Sequence, residues 1–226
     1  MLSRNLALLL VLLLVAGVSL AACGSDDEEE EPATESPAAE AGSECREVEA
    51  PEPKEAEFKR PERVLKRGAD ASAVVETSCG TFEIALDTQG SPRTANSFAF
   101  LAREGFYDGL AFHRISPDFV IQGGDPRGTG EGGPGYSIDE PPPARTAYLK
   151  GVVAMAKNAV EPPGRSGSQF FVVTAPADAG LPPDYAVVGE VTEGMEVVER
   201  IDELGDPGTE QPLRPVIIES ITIERR

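Results

Sequence analysis

From about Ala71 onward the chain is built of short apolar runs separated by turn residues. Ala73–Thr77 and Thr81–Leu86 predict two strands around a Ser78-Cys79-Gly80 turn. After Pro92 the spacing changes. Ala95, Phe98, Leu101 and Ala102 form a helical stripe, with Ser91 as the cap, proline in the first turn and Gly105 as the stop. Runs near 111–115, 119–122, 152–157, 170–174 and 186–191 return to β character. Residues 193–204 predict a second helix, with Met195, Val198 and Ile201 on one side, and 216–224 alternate as a closing strand. Strands with two isolated helices, no βαβ rhythm and a strand at each end predict an all-β fold, a closed antiparallel barrel. Closure removes exposed sheet edges.

The first 70 residues follow other rules. Residues 1–22 carry one positive charge, Arg4, then an apolar run from Leu6 to Val18, then small residues. That order is a secretory signal, and the run is shorter than the ~20 residues a spanning helix needs. Leu20-Ala21-Ala22-Cys23 resembles the bacterial lipobox. The resemblance implies cleavage before Cys23 and diacylglycerol on its sulfur. Several acyl chains on one residue give stable anchoring, here at the extracytoplasmic face of the cell membrane. Residues 24–57 hold 14 acidic and 2 basic residues and no apolar period. Residues 23–70 therefore predict an acidic, largely disordered tether, with the folded domain over 71–226.

Composition narrows the function. A length of 226 residues fits one domain with appendages, and 40% hydrophobic residues suffice for one core. The 39 acidic against 20 basic residues give a net charge of -19, which excludes nucleic acid as a partner. With Cys23 lipidated, Cys45 and Cys79 remain. Export favours a disulfide between them, pinning the tether to the domain; two free thiols are the alternative.

The single histidine lies in Phe112-His113-Arg114-Ile115. This block, Phe119, Gln122-Gly123-Gly124-Asp125, Ala154-Met155-Ala156 and Gly167-Ser168-Gln169-Phe170-Phe171 follow in order. Together they resemble the cyclophilin-type peptidyl-prolyl cis–trans isomerases, from about Val74 to Ile223. The resemblance implies a closed eight-stranded antiparallel barrel capped by two helices, with the proline groove on its outer surface. It implies catalytic roles for Arg114, Phe119, Gln122 and Phe171, and substrate contacts from Val120, Ala156, Leu181 and Tyr185. Gly128-Thr129-Gly130 falls on a loop shaping a neighbouring pocket. The expected partners are proline-containing unfolded or folding polypeptides, and the chain is expected to be a monomer.

The chemistry suits those residues. The barrier to rotation about X-Pro comes from amide conjugation and is crossed in tens of seconds or longer. No covalent bond need break, so neither nucleophile, metal nor cofactor is required. In the twisted state the prolyl nitrogen becomes basic, and a fixed guanidinium can donate to it. His113 then reads as a packed, hydrogen-bonded neighbour of the site, not its base. Two departures stand out. Ala179-Gly180 replaces a tryptophan frequent in the family, which predicts weak inhibition by cyclosporin-type ligands. Tyr185 stands where the family often has histidine. A non-catalytic proline-binding module or holdase is the rival reading on the same fold. A lipoprotein solute receptor needs two α/β lobes, for which this domain is too short.

Overall fold

The computed structural model describes residues 44–55 and 57–225. Strands β1 (Ala71–Thr77) and β2 (Gly80–Leu86) form a hairpin with Cys79 at its tip. Helix α1 (Pro92–Arg103) follows, then β3 (Arg114–Ser116), β4 (Val120–Gly123), β5 (Ile138–Asp139), β6 (Val152–Met155) and β7 (Arg165–Ser166). The chain closes with β8 (Phe170–Val173), β9 (Val187–Glu193), α2 (Met195–Asp202) and β10 (Ile218–Arg225). Eight strands form one antiparallel sheet in the order β10-β1-β2-β9-β6-β8-β4-β3. Strands β5 and β7 pair separately, a small ladder the sequence pattern does not announce.

The sheet curls until its edges meet. Contact is made by the bridge between Ala111 and Ile217, flanked by Phe112 N–H to Val216 O at 2.9 Å and Ile218 N–H to Leu110 O at 2.8 Å. Residues 111–113 thus join the sheet through one bridge instead of lengthening β3. The barrel is filled by Val75, Phe82, Ile84, Ile115, Ile121, Val153, Phe170 and Val172, all buried. Helix α1 buries the predicted stripe of Ala95, Phe98, Leu101 and Ala102. Alternation along β8 sends Phe170 and Val172 into this core and Phe171 and Val173 into a second, smaller cluster.

The cap of α1 differs from expectation. Ser91 occupies the N-cap position, but its hydroxyl bonds Asp87 Oδ2 at 3.2 Å instead of a helix N–H. The first turn is satisfied from elsewhere: the Glu140 carboxylate accepts Arg93 N–H at 3.2 Å, Thr94 N–H at 2.6 Å and the Thr94 hydroxyl at 2.7 Å. An anion at a helix N-terminus is favoured there by the free N–H groups and the dipole.

The ordered chain also begins before 71, so the tether expected over 23–70 lies against the domain along its described part. Cys45 is disulfide-bonded to Cys79, and Arg46 pairs with Glu219. Lys54 N–H and Phe58 N–H donate to Pro126 O and Pro134 O at 2.9 and 2.8 Å. The Phe58 ring meets Phe100 edge-on at 5.3 Å, and Leu65 is buried. Asn96 Oδ1 accepts the N–H groups of Val64 and Leu65 at 2.8 and 2.9 Å. The reason is physical: two apolar anchors and one covalent bond outweigh the cost of ordering an acidic segment whose charges stay in water. The signal segment and Cys23 lie outside the described residues.

Candidate active site

Register builds the site. On the outer face, Arg114 of β3 stands opposite Gln122 of β4, Gln122 opposite Phe171 of β8, and Phe171 opposite Ala154 of β6. A row of cross-strand neighbours therefore carries a cation, an amide and an aromatic ring in sequence. Beside it opens a hollow of about 210 Å³, lined by Arg114, Phe119, Val120, Gln122, Ala156, Lys157, Phe171, Leu181 and Tyr185. All eight site residues read from the sequence are brought together here. Phe171 and Val120 form its buried floor. The Tyr185 ring stands edge-on to Phe171 at 5.4 Å.

Arg114 is held on two sides. Its Nε donates to Glu210 Oε2 at 2.7 Å and its Nη1 to Gln122 Oε1 at 3.3 Å. The guanidinium carbon lies 5.9 Å from the centre of the Phe119 ring. Nη2 makes no protein hydrogen bond among the described residues. Gln122 is oriented in turn, donating from Nε2 to Gln169 Oε1 at 3.1 Å. Gln169 Nε2 donates to Gly130 O and Gly132 O, both at 2.9 Å. A chain of amides thus runs from the arginine to the glycine-rich loop.

Asp125 anchors that loop. Its buried carboxylate accepts Arg127 N–H at 2.8 Å and Gly130 N–H at 2.5 Å. Burial pushes its pKa up, but the N–H groups of Arg127, Gly132 and Gly130 outweigh this and hold it below the usual carboxylate value. The preceding Gly124 has φ +83°, and a Cβ there would lie 2.5 Å from Ser168 O, so only glycine fits. The loop walls a larger cavity of about 800 Å³ that shares Gln122, Ala156 and Lys157 with the hollow and includes Gly130 and Glu57.

His113 does not line the hollow. Both ring nitrogens are buried, and neither meets a hydrogen-bond partner among the described residues. The hydrogen-bonded role read from the sequence is therefore corrected to a packed one: neither nitrogen makes a well-formed hydrogen bond, although Asp125, Arg114 and the Gln169 side chain surround the ring. Burial lowers its pKa below the ordinary imidazole value, with Asp125 opposing and Arg114 adding to that effect.

Three participants escape the sequence reading. Lys157 closes one side of the hollow, its ammonium 5.7 Å from the Tyr185 ring centre; its adjacency to Ala156 was the available signal. Tyr148 props Tyr185 by donating to its carbonyl at 2.7 Å and accepting its N–H at 2.9 Å. Burial raises the Tyr148 pKa to about 12, so it remains a donor. Glu210 comes from a turn 96 positions away from Arg114. Nothing local marks either as part of the site.

Fold and hollow together define a cyclophilin-like barrel: an apolar recess on the outer wall, fronted by one braced guanidinium. The family model "Cyclophilin type peptidyl-prolyl cis-trans isomerase/CLD" matches residues 72–223. Peptidyl-prolyl cis-trans isomerase CYP18-2 of Arabidopsis thaliana is 37% identical over 155 residues, covering 67% of this chain and 92% of the relative. Peptidyl-prolyl cis-trans isomerase A of Mycobacterium tuberculosis is 39% identical over 173 residues, covering 69% and 93%. Among solved structures, a Cryptosporidium parvum cyclophilin type peptidyl-prolyl cis-trans isomerase, crystallised in the presence of dipeptide Ala-Pro, superposes with TM-score 0.63 at 28% identity, covering 69% of this chain and 99% of that one. The chain belongs to the cyclophilin-type peptidyl-prolyl cis–trans isomerases.

Proposed function

We propose that the hollow holds the proline of an X-Pro segment, and that Arg114 donates to the prolyl nitrogen as the amide twists. The observation that carries this reading is the convergence of Arg114, Phe119, Gln122 and Phe171 on one recess. Phe119, Val120, Phe171 and Leu181 offer the ring an apolar seat. Gln122 and the main chain at Ala156 hold the peptide on either side. The planar amide keeps its lone pair in conjugation and accepts poorly at nitrogen. The twisted amide localises that pair, so the same donor binds it more tightly. Rotation is then accelerated without any covalent intermediate.

The test is nuclear magnetic resonance exchange of an Ala-Pro-containing peptide with the purified chain. Cis–trans exchange is expected to become far faster than the uncatalysed tens of seconds. Since burial lowers the His113 pKa, the ring is already neutral where an ordinary imidazole is still titrating. The accelerated rate is therefore expected to change by less than about twofold between pH 6 and 8. Exchange left at the uncatalysed rate overturns the reading; a steep rise or fall across that window returns His113 to the chemistry.

We further propose that the substrates are exported polypeptides, met by an enzyme anchored through lipidated Cys23 at the extracytoplasmic membrane face. The support is the Leu20-Ala21-Ala22-Cys23 sequence behind an apolar segment. Cys23→Ser is expected to move the protein from the membrane pellet to the soluble fraction or leave it uncleaved. Unchanged fractionation together with normal processing removes the anchor.

A further inference from the structure

Glu210 sits in a turn that has no part in the apolar hollow, yet it makes the shortest contact to Arg114. One carboxylate oxygen takes Arg114 Nε at 2.7 Å, and the other takes the Ser116 hydroxyl at 2.8 Å. Both donors stand on β3, two residues apart, so their side chains share one face. The turn is itself fixed. Asp206 Oδ1 accepts Gly208 N–H at 2.9 Å and Thr209 N–H at 2.8 Å. Glu210 N–H donates to Asp206 O at 2.7 Å, and Ile115 N–H donates to Glu210 O at 2.9 Å. The carboxylate therefore reaches the guanidinium from a platform bonded on its main chain to the same strand that carries the arginine.

The backbone at this point is unusual. Among the described residues, only Asp118 and Glu210 have positive φ without being glycine, and Glu210 has φ +56°. Glycine or asparagine takes this conformation at less cost, and a long side chain persists there only when its surroundings fix it. A turn needing shape alone has no use for the carboxylate. Its geometric effect is specific: with Nε tied to Glu210 and Nη1 to Gln122, two edges of the guanidinium fork are occupied and Nη2 is left for the substrate.

We infer that Glu210, steadied by Ser116, is a positioning residue that fixes the guanidinium plane of Arg114 for donation to the twisted imide. The inference deepens the reading of Arg114 as the donor and rests on it. A guanidinium free to rotate still binds the ground-state peptide through the apolar hollow, but seldom presents a donor along the nitrogen lone pair. Its loss is felt in kcat and hardly in KM.

The experiment measures kcat and KM by peptide exchange for wild type, Glu210→Gln, Ser116→Ala, Arg114→Ala and the Arg114→Ala/Glu210→Gln pair. Glu210→Gln is expected to lower kcat about tenfold, as for one charge-assisted hydrogen bond, with KM within about twofold. Because Glu210 acts only through Arg114, the pair is expected to match Arg114→Ala alone within about twofold. Ser116→Ala, which leaves the turn intact, is expected to lower kcat by about two- to threefold. Wild-type kcat in Glu210→Gln, or independent losses that multiply in the pair, overturns the inference while the donor role of Arg114 stands. Should Glu210→Gln fail to fold, Ser116→Ala decides: wild-type kcat there overturns it. Wild-type kcat in Arg114→Ala overturns the donor role, and the inference with it.

Discussion

Arg114→Ala is expected to lower kcat/KM for X-Pro isomerisation by about 10²–10³-fold, the usual loss when one preorganised donor to developing charge is removed. The hollow should survive. Its apolar walls come from four other segments, and Phe171 and Val120 are anchored in a packed cluster that does not need the arginine. Peptide affinity, followed by chemical-shift titration, is therefore expected to change little while turnover collapses. That split separates an enzyme from a proline-binding module or holdase, in which turnover would be low in both proteins. Arg114→Lys is expected to recover little. An ammonium is a point donor and cannot reach Glu210, Gln122 and the substrate in one plane. A wild-type rate in the alanine variant, with the far-ultraviolet spectrum unchanged, removes Arg114 from the mechanism.

Opening the Cys45–Cys79 disulfide is expected to cost about 3–4 kcal/mol of stability, from the entropy of the loop it closes. The two cysteines are 34 positions apart, and the enclosed chain includes β1, so unlinking frees a long stretch of the unfolded state. For a domain of this size the loss corresponds to a melting temperature lower by roughly 10 °C. The effect is structural, since neither cysteine lines the hollow. The measurement is differential scanning calorimetry of Cys45→Ser, Cys79→Ser and the double variant. The three should agree, because each breaks the same link. A melting point unchanged in all of them shows that Phe58, Leu65 and the Asn96 bonds hold the segment unaided.

Much of this was legible from the chain. The alternation and helix stripes name the main strands and both helices, because each buries a face whose period is fixed by backbone geometry. Eight of the nine residues of the hollow were legible through their resemblance to a family, not through periodicity: Phe171 alone reads as core. What escaped has a common cause. Phe58 and Leu65 are isolated apolar residues in an acidic, proline-rich stretch, and composition averages them away. Glu140 caps α1, and Glu210 braces Arg114, across separations of 46 and 96 residues. A local pattern cannot register a carboxylate whose partner is chosen by the closed sheet. His113 erred the other way: an eye-catching residue type, enclosed without a well-formed hydrogen bond.

Strand β8 is covered on both faces, with Phe170 and Val172 toward the barrel and Phe171 and Val173 toward the recess. One four-residue ribbon is thus both the ceiling of the interior and the bedrock of the binding surface. Refashioning the recess from below would disturb the whole edifice. Anyone seeking to alter which peptides are admitted has freer ground at the rim, where Lys157, Leu181 and Tyr185 are partly exposed and no barrel packing hangs on them.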